Sequence, residues 1–235
     1  MVYASTAVSW AAYSLLIVIL PFRFQYLGLS VVQYGTAVAI MAVGMLLTEG
    51  IWGVLAFRIG NPRMIIALTV LVGLVYIWIG ISDTFLELAV SLGLLGAVGI
   101  FQIPLVRWIA LTAFGPGTGG RGTGMFGLFA GCGLVVGTAL GPFVYVESGF
   151  GVLMVLVVVS YTMGLGLLLV LPWHRLALPG RQPGFIRHMR DVTTRPFATA
   201  ASLVVLAFFG RSRVWNFLQY YSVSLFHGTP KKRDW

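Results

Sequence analysis

Glu49 and Arg107 are the residues of this chain best placed to do chemistry, because each is ionisable and lies inside a long apolar run. A charged side chain at the centre of a bilayer costs roughly 3 kcal/mol or more, so its presence there calls for a compensating reason. Glu49 precedes Phe57 by eight residues and Arg107 precedes Ala113 by six, and both of those later residues end apolar runs. At the rise of an α-helix the two depths differ by only about 3 Å. A pair, or two groups facing one cavity, suits gating or proton coupling. The competing reading has Arg107 snorkelling to the headgroups and Glu49 packed as a protonated carboxyl. Gln102, Tyr13 and Tyr34 are neutral groups able to hydrogen-bond a ligand, or else satisfied helix contacts. Arg211 and Arg213, beside Gly210, also read two ways. They mark a discontinuous helix that attracts an anionic or polar substrate, or they lie in water beyond a helix ending near Gly210.

The composition decides what surrounds these groups. Hydrophobic residues make up 59% of 235 and charged residues 9%, far below the quarter or so usual in a globular domain. The bilayer must therefore be the solvent, and every backbone polar group must be satisfied internally. Runs of Leu, Val, Ile and Gly are too continuous for alternating barrel strands. The expected fold class is an all-α polytopic membrane protein. Seven spans are read: Ala4–Phe22, Val31–Phe57, Met64–Ser82, Leu86–Ala113, Gly122–Val146, Phe150–Leu171 and Phe197–Phe226. Short links make neighbouring helices antiparallel.

The net charge of +9 is spread through short loops, so it points to anionic lipid rather than nucleic acid. Arg58 and Arg63 fall between spans two and three, and Arg121 between four and five. Arg175, Arg181, Arg187, Arg190 and Arg195 fall between six and seven. The opposite side carries Asp83, Glu87 and Glu147, with Arg23 its one basic residue. The arginine bias places the N-terminus in the cytoplasm and suggests the plasma (inner) membrane. Three regions follow: a six-helix bundle over 1–172, a basic linker over 173–195, and the first span of a second half over 196–235. In the linker, Phe185, Ile186 and Met189 form the apolar face of a short interfacial helix, or the segment is a solvated tether.

No soluble-type catalysis is indicated. His174, His188 and His227 have no nucleophile or carboxylate at useful spacing, and Cys132 stands alone in an apolar run. There is no Gly-x-x-x-x-Gly-Lys phosphate loop and no metal spacing. Neither enzyme activity nor a cofactor is expected.

Two motifs carry a resemblance. Gly53-Val-Leu-Ala-Phe-Arg-Ile-Gly-Asn-Pro-Arg63 is similar to the Gly-x-Leu-Ala-Asp-Arg-x-Gly-Arg-Arg loop joining helices two and three of the major facilitator superfamily. Gly53, Leu55, Ala56, Arg58, Gly60 and, one place late, Arg63 fit, whereas Phe57 stands where the family has aspartate. The second motif, Gly133-x-x-x-Gly137-x-x-x-Gly141-Pro142, resembles the span-five Gly-x-x-x-Gly-Pro-x-x-Gly-Gly of the family's proton-exchanging exporters. Tyr145-Val146 replaces its closing Gly-Gly. In span four, Leu92 and Leu95 occupy the arginine and glutamine positions of the family's Arg-x-x-Gln-Gly.

The resemblance implies a secondary active transporter of a small solute, working by alternating access between two helical halves, with a proton as the coupling ion. Gly53, Arg58, Gly60 and Arg63 would belong to the gate. Glu49, Arg107, Gln102, Arg211 and Arg213 would line the route. Gly133, Gly137, Gly141 and Pro142 would let helices bend or slide; simple helix packing is the plainer reading of the glycines. One half, a linker and a single further span are expected of a twelve-helix protein cut short. Asn216–Pro230 echoes Leu20–Ser30 as the start of a second repeat. The rival expectation is a non-transporting fragment or scaffold that needs a second chain.

Overall fold

The computed structural model describes residues 1–59, 61–99 and 119–170, with side chains except at 49–50, 53–59, 61–63 and 119. The part of span four beyond Gly99, the linker and span seven lie outside the described residues, as do Gly60, Gln102, Arg107, Arg211 and Arg213. Every described element is helical. The elements are α1 (Val2–Tyr26), α2 (Val31–Ile59), α3 (Asn61–Ile81), α4 (Phe85–Gly99) and α5 (Gly119–Leu169). Four of them are long and apolar enough to cross a membrane.

Their surfaces agree with a hydrocarbon surrounding. Leu46, Val135, Phe143 and Val155 are 61–76% exposed, a distribution that water would penalise and lipid does not. Inside, buried hydroxyls return their hydrogen bond to a backbone carbonyl. Thr69 donates to Ile65, Ser82 to Trp78, Ser91 to Leu88 and Thr6 to Val2. Such back-bonding satisfies these hydroxyls within their own helices.

Two helix starts share one device. Ser30 Oγ accepts from the Gln33 N–H while Gln33 Oε1 accepts from the Ser30 N–H. Thr84 and Glu87 repeat this reciprocal pairing at the start of α4, where Glu87 Oε2 also accepts from the Asp83 N–H. Each capping box satisfies donors that the first turn of α2 or α4 would otherwise leave open.

The 51-residue α5 is two crossings, not one. Gly133 abuts Ala7 and Ala11 of α1, while Ser5 of α1 donates a 2.8 Å hydrogen bond to the Gly164 carbonyl. A straight helix would separate residues 133 and 164 by about 46 Å, yet both meet the first turns of α1. The chain therefore folds back, and it does so at Gly149, whose φ of 81° and ψ of 176° are non-helical. The arms 119–148 and 150–169 match the two spans expected there.

Nothing lies within 4 Å of a Cβ added at Gly149, so only the backbone restricts that position. Its backbone region is essentially open to glycine alone, and Gly149→Ala is expected to cost about 1–3 kcal/mol. Thermal unfolding in detergent checks this. The helical neighbour Gly151, equally open, should accept alanine without loss.

Relative directions follow from the contacts. Gly133, Gly137 and Gly141 meet Ala7, Ala11 and Val18 in rising order, so α1 and the first arm run parallel. The second arm runs antiparallel to α1, from Phe150 beside Arg23 to Gly164 beside Ser5. α2 and α4 run parallel, Ile40 meeting Gly93 and Thr48 meeting Ala97. α3 is antiparallel to the second arm, Gly80 packing on Met154 and Tyr76 on Tyr161. These directions are what regularly alternating crossings produce.

Candidate functional site

Two seams of small residues and one charged cluster organise the described bundle. The first seam joins α1 to the first arm of α5. A Cβ at Gly133 would overlap the Ala7 carbonyl, and one at Gly137 the Ala11 carbonyl and the Ser14 hydroxyl. At Gly141 it would come within 2.6 Å of Val18 Cγ1. The expected glycine face thus has a definite partner, and the partner supplies its own small residues Ala7, Ala11 and Ser14. Ser14 Oγ lies 3.1 Å from the Ala11 carbonyl and 3.4 Å from that of Gly133, a hydroxyl contact across the seam. Backbones can approach this closely only where side chains are absent. Pro142 lies within the first arm, whose continuity it leaves intact; the non-helical angles of α5 fall seven residues later, at Gly149.

The second seam joins α2 to α4. A Cβ at Gly44 would overlap the Gly93 carbonyl, and one at Gly96 the Met41 carbonyl. Thr48 Oγ1 and Trp52 Nε1 both donate to the Ala97 carbonyl. Near the end of an apolar run, a tryptophan such as Trp52 is explained by the aromatic belt of the membrane interface. Its indole instead ties α2 to α4. Glu49 lies on α2 between these two donors, so the backbone carrying it is fixed to α4 on either side. Leu92 and Leu95, at the polar positions of the family's span-four motif, are buried at 0% and 2% exposure. They serve packing.

The loop motif occupies helix ends. Gly53 and Arg58 are on the last turns of α2, and Arg63 is on the first turn of α3. Tyr34, buried at 4% exposure, meets Phe24 edge-on, and Tyr13 meets Trp10 in the same manner. Tyr13 and Tyr34 thus have aromatic contacts within the bundle.

The charged cluster was not foreseen. Arg23, at the end of α1, donates from Nη2 to Asp83 Oδ1 at 2.6 Å and to the Ser82 carbonyl at 3.2 Å. Its guanidinium lies over the Phe150 ring, 4.5 Å from the centroid. The arginine that stood as the exception in the charge asymmetry is therefore neutralised and covered. The available signal was its isolation among Asp83, Glu87 and Glu147. Among the residues whose side chains are described, no group of His, Cys, Asp and Glu could hold a metal.

The sequence model of the Major Facilitator Superfamily matches residues 2–230 of the chain. No curated protein matches it.

Proposed function

This chain belongs to the Major Facilitator Superfamily, a family of membrane transporters, and we propose that it moves a small solute by alternating access, as a proton-coupled exporter. The chain is accordingly a multi-pass membrane protein of a transporter family. In this reading it sits in the plasma (inner) membrane with its N-terminus in the cytoplasm, which the arginine-bearing turns favour. On the same reading, 1–172 are assigned to a first bundle, 173–195 to a linker and 196–235 to a second bundle.

The observation that carries the reading is the glycine seam. Gly133, Gly137 and Gly141 bring the first arm of α5 against the backbone of α1 along three successive helical turns. A close contact with no side chain on the glycine side lets two helices move as a unit or slide, and it coincides with the motif resembling the exporters' own. Glu49 and Arg107 take the coupling role. Gln102, Arg211 and Arg213 line the route, and Gly53, Arg58, Gly60 and Arg63 belong to the gate.

Whole-cell accumulation of fluorescent cationic dyes and labelled metabolites tests direction. Cells expressing the protein are expected to retain less of at least one probe than cells without it. Collapse of the proton gradient should remove that difference. Greater retention in expressing cells would reverse the assignment to uptake.

A further inference from the structure

We propose that Arg23 and Asp83 form a releasable clasp that holds one end of the bundle closed and sets how often it opens, a positioning role that rests on the alternating-access reading. The clasp joins three separate stretches: the last turn of α1, the junction between α3 and α4, and the residue just after the Gly149 break. Ser82 follows the C-terminal end of α3, where open carbonyls and the negative pole of the helix favour a cation. Phe150 and Tyr26 lie on the guanidinium, at 4.5 and 5.6 Å. These contacts give the closed arrangement its geometry.

Two features keep it from being permanent. The Asp83 side chain is 75% exposed, so water competes for the carboxylate and screens the pair. Arg23 Nε, by contrast, is buried and has no hydrogen-bond partner among the described residues, an omission that an opened site would relieve. Moreover, Phe150 is attached to Gly149, whose backbone already departs from the helix. An ion pair half in water, an orphaned donor and an adjacent break make a two-position element out of what would otherwise be a fixed corner.

The test uses the full chain in lipid nanodiscs, with Cys132→Ala as background and a water-soluble maleimide as the probe. Ile19→Cys reports on the Arg23 end of α1, one turn inward, and Thr6→Cys on the other end; both positions are buried. Arg23→Gln and Asp83→Asn are each expected to raise the Ile19→Cys labelling rate roughly tenfold and to lower the rate at Thr6→Cys, because two states exchange population. The charge-swapped pair Arg23→Asp with Asp83→Arg should restore both rates toward the starting values. Unchanged rates overturn the proposal, as does a rise at Ile19→Cys with no fall at Thr6→Cys, which is local fraying. Loss of monodisperse protein in both single variants also overturns it, since the pair is then needed for folding itself. Flux of the whole-cell dyes and metabolites, measured after the same purified wild-type protein is reconstituted into proteoliposomes, separates the two readings. A wild type that transports while labelling ignores the pair removes the clasp alone, whereas a wild type without flux removes alternating access and the clasp with it.

Discussion

Gly137→Val is expected to cost about 3 kcal/mol and to lower the melting temperature by roughly 6–12 °C, enough to endanger extraction as a monodisperse protein. The cause is steric and local. Even the Cβ of alanine would overlap the Ser14 hydroxyl and the Ala11 carbonyl, and the carbonyl, as backbone, cannot rotate away. Valine adds two methyl groups where one carbon already fails to fit. The same arm provides its own controls. Gly124, Gly127 and Gly131 have nothing within 4 Å of an added Cβ, so alanine there should be neutral or slightly stabilising. A series that is harsh at 133 and 137 and silent at 124, 127 and 131 reads out the packing face directly. Equal tolerance at Gly137 and Gly131 would mean that α1 and this arm are not seated as described.

The second large effect concerns activity rather than stability. Glu49→Gln is expected to reduce coupled flux by roughly thirtyfold, the consequence of losing about 2 kcal/mol from the rate-limiting step. Glutamine preserves shape but can neither carry charge nor exchange a proton. Arg107→Gln should produce a loss of similar size, and the two together little more than either alone, if the groups act as one unit. Protein amount and melting temperature should change little by comparison. Flux that survives unchanged in both single variants would take Glu49 and Arg107 out of the mechanism and leave them as packing and snorkelling residues.

The apolar runs placed the described helices to within a few residues, the end of span four lying outside the described residues, because in lipid a span must be both long and internally hydrogen-bonded. The same physics hid which faces meet. A soluble helix shows its core side by alternating polarity, whereas a membrane helix is apolar on the lipid side as well as the packed side. Only exceptions to that uniformity could point. Gly133, Gly137 and Gly141 were such an exception, and they do lie at a close contact. The matching row on α1, Ala7, Ala11 and Ser14, is a weaker version of the same signal and needed the structure to be recognised. Gly44 against Gly93, and Gly96 against Met41, were likewise visible as residues and invisible as partners.

Pairing across distance was the least legible. Arg23 and Asp83 are sixty residues apart, and nothing in either neighbourhood announces the other. Trp52 had an adequate explanation as a belt residue, and its bond to Ala97 depends on how α2 and α4 cross. Glu49 is fixed on α2 at the backbone level, whereas Arg107, Gln102, Arg211 and Arg213 stand on residues outside those described.

Flux into proteoliposomes, measured with and without an imposed pH gradient, bears most directly on the claim that this chain couples solute movement to protons. The vesicles are loaded with a pH-sensitive dye, acidified inside, and challenged with the cationic dyes and metabolites of the whole-cell panel. The account predicts that at least one compound dissipates the gradient in vesicles holding the wild-type protein, and that this response fails with Glu49→Gln. Wild-type vesicles that behave like empty ones for a compound already shown to be transported would contradict it.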